Sequence, residues 1–271
     1  MRIHPLAAAL LLVVCGSAAA QDWTGGYVGG YAGAMMDPDD SGDSVQFDTN
    51  LDGGFGDSVN TAAGANAFSP GFCDGAAGDR TPAGGCSDNG SGGDYGIRGG
   101  YDWQSGNLVF GVLVEYGMAD YRDAVSAFST TPAFYTMLRK VDDTLAVRGR
   151  LGMSFGDGNN LVYGTAGYAR ASVDNYFSTS NTANTFVNSG GSDADGYQLG
   201  VGYERRLTER FSLGVEYLHS RLDDEDARVR AQGPAPATNP FILVNAAGTD
   251  FRRSDDEIKL DSVRLTANFR F

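Results

Sequence analysis

Leu108-Val109-Phe110-Gly111-Val112-Leu113-Val114-Glu115-Tyr116-Gly117-Met118 decides the fold. Leu108, Phe110, Val112, Val114, Tyr116 and Met118 fall on one side of an extended chain, with Gly111, Glu115 and Gly117 on the other. Successive side chains of a strand point to opposite faces, so this is a strand with one large apolar face. The charge stands among glycines, on the opposite face.

The same pattern recurs on both sides of this segment. Tyr95, Ile97, Gly99, Tyr101 and Trp103 alternate with Gly96, Arg98, Gly100 and Asp102. Leu145, Val147, Leu151, Met153 and Phe155 alternate with Ala146, Arg148, Arg150 and Gly152. Tyr163, Thr165, Gly167, Ala169 and Ala171 oppose Gly164, Ala166, Tyr168 and Arg170 more weakly. Tyr197 to Arg205, Phe211 to Tyr217 and Val263 to Phe271 complete seven segments. An eighth opens at Trp23, where Trp23, Tyr27 and Tyr31 alternate with small residues and Val28 leaves the facing ambiguous.

Three connections are short, at 104–107, 156–160 and 207–210. Four are long, at about 37–93, 122–141, 177–194 and 223–257. Short turns at one end and long loops at the other are the layout of an all-β, eight-stranded, antiparallel up-and-down transmembrane barrel. The four long loops are then extracellular, and both chain ends lie on the periplasmic side.

Charge sets the facing. A mid-strand base turned toward lipid costs about 2–4 kcal/mol, and an acid somewhat less. Arg98, Arg148, Arg150, Arg170 and Arg264 are therefore expected inside, with Glu115, Glu204 and Glu216 as partners, because buried ions persist only when paired. An eight-stranded interior is just wide enough for its own side chains, so a plugged lumen is expected. A soluble eight-stranded barrel would have the reverse polarity.

Composition agrees. The 271 residues suit one large all-β domain or two ordinary ones, and the 39 glycines show no G-x-y period. Thirty-four acids against 20 bases leave a net charge of −14, which argues against a nucleic-acid partner. Mean hydropathy is −0.25, and no internal run reaches the length of an apolar membrane helix. Alternating strands escape that criterion.

The first twenty residues read as an export signal: Met1-Arg2-Ile3-His4, an apolar run from Leu6 to Val14, and Ala18-Ala19-Ala20 as cleavage site, leaving 21–271 as the barrel domain. Lipid attachment at Cys15 is disfavoured by Val14 before it. Cys73 and Cys86 remain, thirteen positions apart, and read as a disulfide in an oxidising compartment. The last strand alternates to Phe269 and Phe271, expected to serve as the signal read by the barrel-assembly machinery.

Several stretches resemble the small porin-like outer-membrane barrels of Gram-negative bacteria often called outer-membrane immunogenic proteins. These are Asp22-Trp23-Thr24-Gly25-Gly26-Tyr27-Val28-Gly29-Gly30, Gly100-Tyr101-Asp102-Trp103 with Leu108-Val109-Phe110-Gly111-Val112, Val147-Arg148-Gly149-Arg150-Leu151-Gly152 with Leu161-Val162-Tyr163-Gly164, and Gly200-Val201-Gly202-Tyr203-Glu204 with Phe211-Ser212-Leu213-Gly214-Val215-Glu216-Tyr217. The resemblance covers every strand in order. It implies a structural surface protein, with adhesion, immune recognition and haem binding as roles met among members, and it carries no residue motif for any of them.

The loops offer weaker signals. Asp37-Pro38-Asp39-Asp40-Ser41-Gly42-Asp43 echoes a calcium loop, but its twelfth position is Asp48 and its second is Pro. Asp223-Asp224-Glu225-Asp226 reads as a solvated rim, with divalent cations bridging it to lipopolysaccharide as the alternative. Arg252-Arg253 has the chemistry to touch lipid phosphate, and Tyr135 and Tyr176 that of haem ligands. Catalysis lacks support: His219 adjoins Ser220, but strand neighbours point apart. The expectation is a non-enzyme without cofactor or metal, partnered by outer-membrane lipid and lipopolysaccharide, with loops free for a host or surface ligand. A narrow solute channel and small-ligand binding by the loops are the alternatives.

Overall fold

The computed structural model describes residues 22–36, 38, 42–87, 89, 91–189, 193–224 and 227–271. The expected signal segment 1–20 lies outside them, as do Asp37, Asp39, Asp40, Ser41, Glu225 and Asp226. Among the described residues, no helix is long and apolar enough to cross a membrane.

Eight antiparallel strands form a closed ring. They are β1 (Gly25–Met36), β2 (Gly92–Ser105), β3 (Leu108–Ser129), β4 (Ala133–Phe155), β5 (Asn160–Thr179), β6 (Asp193–Arg206), β7 (Phe211–Asp223) and β8 (Glu257–Arg270). Each pairs with the next, and β8 closes on β1 through Tyr27↔Arg270 to Met36↔Asp261. Closure leaves the ring with no open edge.

Apolar side chains face outward along the ring. Leu108, Phe110, Val112, Val114, Tyr116 and Met118 are all about half exposed, while Val109, Leu113, Glu115 and Gly117 between them are buried. Aromatic rings edge this belt. Trp103, Phe155, Tyr203 and Phe211 stand near the short turns, and Tyr95, Tyr116, Tyr168, Tyr197 and Tyr217 stand toward the long connections. Tyr95 and Trp103 are eight positions apart, about 26 Å at the rise of a strand, matching an apolar band of about 25 Å.

β1 resolves its ambiguity inward: Trp23, Tyr27, Tyr31 and Met35 are buried in the lumen. Glycines on facing strands make room for them. A Cβ on Gly117 would lie 1.9 Å from Tyr31 Oη, and one on Gly100 2.6 Å from Tyr27 Oη. Part of the high glycine content is thus the complement of large rings inside a narrow cylinder.

The stretch 122–141 is not a loop. β3 and β4 run on together, from Tyr121↔Val141 to a tight turn at Ser129↔Ala133. Their alternation fades because both faces become covered: Ala124 to Phe128 are buried without a break. Register shifts at Met118/Tyr121 and Val141/Asp143 mark where this begins. Below them β4 buries even positions (Thr144, Ala146, Arg148), and above them odd ones (Val141, Arg139, Met137, Tyr135).

The other long connections are folded as well. Thr185–Ser189, Arg228–Gln232, Thr249–Arg253 and Val45–Asp48 make a second antiparallel sheet in that order. Gly71–Asp74 pairs with the extension of β3, and Cys73 is disulfide-bonded to Cys86 across a Cα–Cα distance of 6.4 Å. Phe47, Phe68, Tyr135, Phe241 and Phe251, with Phe177 and Phe186 packed against them, unite all four connections in one aromatic core. Ring centroids lie 4.5 Å apart for Phe47–Phe68 and 5.0 Å for Phe47–Phe251.

Candidate functional site

The lumen is filled by ions in two neutral groups. Nearer the short turns, Arg150 meets Glu204 at 2.7 Å and Asp102 at 3.6 Å, and Arg270 meets Asp102 at 2.9 Å and Glu204 at 3.2 Å. Ser212 Oγ and Asn268 Nδ2 also donate to Glu204. Farther in, Arg98 bridges Glu115 at 3.2 Å and Glu216 at 3.3 Å. Arg148 bonds the same two carboxylates, at 2.9 Å for Glu216, and Arg264 joins Asp94 to Glu115. Two arginines against two carboxylates, then three against three, leave each group without net charge. All ten side chains are at most 5% exposed.

Aromatic rings cover the guanidinium faces that carboxylates leave free. Arg150 lies 4.1 Å from the Tyr163 ring centroid, Arg264 4.4 Å from Tyr31, and Arg270 4.4 Å from Trp23 and 4.8 Å from Tyr27. Arg206 covers the other ring contact of Trp23 at 4.6 Å. Desolvated contacts of this kind are the stronger cation–π pairs. Trp23 Nε1 also donates to the Gly158 carbonyl at 2.8 Å, tying the start of β1 to a short turn.

Above the ions the interior turns apolar, with Met35, Tyr121, Val141, Leu222, Ile258 and Leu260 buried together. A third polar layer follows, outside the belt. Asp123 accepts from Arg139 at 2.7 Å and Arg253 at 2.8 Å, and Arg253 also meets Asp43 at 2.5 Å. Burial pushes the Asp123 carboxyl up, but Arg253 and Arg139 outweigh it and hold it below the ordinary carboxylate range.

Seven of the eight ionic residues expected inside are brought together: Arg98, Glu115, Arg148, Arg150, Glu204, Glu216 and Arg264. Arg170 is not. It faces outward, 57% exposed, and pairs with Asp193 at 2.6 Å. On β5 the expected facing is reversed, with Tyr163 inside donating to Glu216 and Tyr168 outside. The cost of a lipid-facing arginine falls to about 0–1 kcal/mol near the interface. Arg170 lies beyond the girdle residue Tyr168, where that low cost applies. Asp94, Asp102 and Arg270 complete the network unforeseen, although each shares the strand parity of Arg98 or Arg264.

The loop expectations are also revised. Arg253 is buried in its ion pairs and Arg252 covers the Phe55 ring at 4.4 Å, so neither is held ready for lipid phosphate. Tyr135 is 2% exposed in the aromatic core, away from any ligand-binding role for iron, while exposed Tyr176 bonds Asp174. Asp48 accepts from the amides of Leu51, at 2.6 Å, and Gly53, at 2.8 Å, which makes it the organiser of a turn. Among the described residues, no group of three His, Cys, Asp or Glu is placed to hold a metal. His219 pairs outward with Asp261 at 2.8 Å, while Ser220 points inward to Gln198. Phe269 and Phe271 are half exposed at the foot of the belt.

Comparison with known proteins identifies the architecture. Residues 6–271 match the family described as the outer membrane protein beta-barrel domain. The chain is 30% identical over 136 residues to the 22 kDa outer membrane protein of Rhizobium leguminosarum bv. viciae, covering 49% of this chain and 56% of that one. It is 25% identical over 177 residues to the 31 kDa outer-membrane immunogenic protein of Brucella melitensis biotype 1, covering 65% of each. The match thus spans less than two thirds of either relative's length. The crystal structure of the outer membrane protein OprG from Pseudomonas aeruginosa shares the fold, with a TM-score of 0.51 at 15% identity over 93% of this chain and all of that one. The chain belongs to the outer membrane protein beta-barrel domain family, a barrel of the bacterial outer membrane.

Proposed function

We propose that this protein is a sealed, non-enzymatic outer-membrane barrel whose work is done by its extracellular cap, as a surface for adhesion or immune recognition. The observation that carries the reading is the layering of the lumen: two neutral ion groups, then an apolar plug, then the Asp123–Arg139–Arg253 pin. Such a stack argues against a continuous polar path for a solute and so supports the sealed reading. Cross-linked ions hold the ring rigid, and four connections folded on one aromatic core give a preformed surface, which lowers the ordering cost of recognition. The similarity to the outer-membrane immunogenic protein of Brucella supports the same reading. Outer-membrane lipid and lipopolysaccharide are the proposed partners of the belt, and the assembly machinery that of the strand bearing Phe269 and Phe271.

Planar-bilayer recording on the folded full chain tests it. The expected result is no steady conductance. A steady ohmic conductance that changes with Glu204→Gln or Glu115→Gln would replace the sealed reading with that of a narrow channel gated by the network.

A further inference from the structure

At the far tip of the cap a cavity of about 250 Å³ opens where all four extracellular connections meet. Thr61 comes from the first connection, the turn Thr130-Thr131-Pro132 from the β3–β4 hairpin, Asn181 and Thr182 from the third, and Asn239 and Pro240 from the fourth. Tyr135 and Phe241 lie beneath, both buried in the aromatic core. No lining residue bears a formal charge, in a chain whose net charge is −14.

The walls are fixed before any ligand arrives. Asn239 and Asn184 exchange side-chain amide bonds at 3.0 and 3.3 Å, and Asn181 Nδ2 donates to Tyr135 Oη at 2.9 Å. Asn181 Oδ1 accepts from the Ala183 amide at 2.7 Å. Those groups are spent on the protein. The hydroxyls of Thr130, Thr131 and Thr182 are exposed and, among the described residues, have no hydrogen-bond partner. The cavity therefore offers flexible hydroxyl donors and acceptors beside the flat apolar faces of Pro132 and Pro240.

We propose that this cavity binds one neutral sugar ring, a hexose or N-acetylhexosamine unit of a surface polysaccharide. A pyranose presents an apolar face of C–H groups and a rim of hydroxyls, the complement of proline plates and threonine hydroxyls. The volume lies just below the range of about 300–1,000 Å³ that holds drug-sized ligands, which suits a single ring. With no fixed cation, the site gives a sulfated or sialylated sugar nothing to pair with. The inference rests on the cap being a recognition surface and names what it recognises.

Saturation-transfer NMR on the full chain folded in detergent tests it, with methyl glucoside, methyl galactoside, methyl N-acetylglucosaminide, N-acetylneuraminic acid and an uncharged blocked dipeptide as probes. Transfer to at least one neutral glycoside is expected. It should fall at least tenfold in Ala183→Trp, which fills the cavity, and in Thr131→Val with Thr182→Val, while heat-modifiable gel mobility stays unchanged. Transfer to none of the neutral sugars overturns the proposal, as does equal transfer to the acidic sugar, transfer to the peptide alone, or indifference to Ala183→Trp. Where a glycoside binds, competition by host-type neutral oligosaccharides against the strain's own O-polysaccharide identifies the source. Conductance of the same preparations separates the two readings: a silent barrel deaf to sugars loses only the saccharide, whereas a conducting one loses the sealed surface.

Discussion

Below the rim the chain is an inverted protein, and above it an ordinary one. In the barrel, Val112 and Leu265 face out while Arg148 and Glu216 are wholly buried; in the cap, Phe47 and Phe251 are buried at the centre of an aromatic core. Three consecutive strands, β3 to β5, cross from one regime to the other, and Phe177 of β5 packs on the cap core. β3 and β4 do so at the register shifts by Met118 and Val141, where β4 changes which of its faces is buried. The solvent decides what is inside. Against lipid, apolar burial gives no advantage and the lumen is the only refuge for charge; against water, burial of the same aromatic rings is the main stabilising term.

The comparison predicts unequal responses to equal insults. Arg148→Met leaves two arginines facing Asp94, Glu115 and Glu216, an uncompensated charge in a dry interior. A loss of about 3–5 kcal/mol is expected, and it should be global. The measurement is the midpoint of heat-modifiability in urea, and Glu216→Gln added to Arg148→Met should recover part of the loss. A barrel unmoved by Arg148→Met would show that the ions contribute no cohesion.

Phe251→Ala removes the ring that touches Phe47 at 5.0 Å and Phe241 at 5.4 Å. Truncations of this kind cost about 3–5 kcal/mol, and here the lower end is expected because neighbouring rings can relax. The effect should stay in the cap: faster proteolysis within the extracellular connections, with the barrel's gel shift intact. If the barrel melts as well, the two regions form one cooperative unit.

Acid should loosen the seam between the regions. Asp123 is held below the ordinary carboxylate range, so its contribution is complete above that range and is lost as the pH falls through its depressed folded value. Protonation weakens its bonds to Arg139 and Arg253, yet Arg253 keeps Asp43 and Arg139 keeps the Glu257 carbonyl at 2.7 Å. Cap proteolysis should therefore rise below the carboxylate range while Asp123→Asn, already without that charge, shows a flatter profile.

These contrasts also explain what could be read in advance. The barrel was legible because lipid and lumen demand opposite chemistry on alternate residues, as in Leu108 to Met118. The facing of β1 was not, since small residues sit on both its faces and its inward rings are admitted by glycines on other strands, such as Gly117 opposite Tyr31. The cap sheet was hidden too. Val45–Asp48 is only four residues long, too short for its alternation to stand out, and its partner Thr249–Arg253 lies some two hundred residues away. The cavity at the tip has no pattern at all, because its walls come from four connections and its threonines look like ordinary loop residues.

Arg170 gives the smallest effect and the sharpest comparison with Arg148. Both are strand arginines bonded to a carboxylate, and the rule that mid-strand cations belong inside treats them alike. The structure separates them by position: Arg148 is wholly buried between two glutamates, whereas Arg170 is 57% exposed beside Asp193 at the outer rim. An exposed pair is worth about 0–1 kcal/mol, and water and counterions screen it. Arg170→Ala should shift the unfolding midpoint by less than about 1 kcal/mol, and less still in high salt, where Arg148→Met keeps its full effect. A loss from Arg170→Ala as large as that from Arg148→Met, and insensitive to salt, would mean that this arginine is held in a dry environment and that the outer boundary of the apolar belt stands higher than Tyr168 marks it.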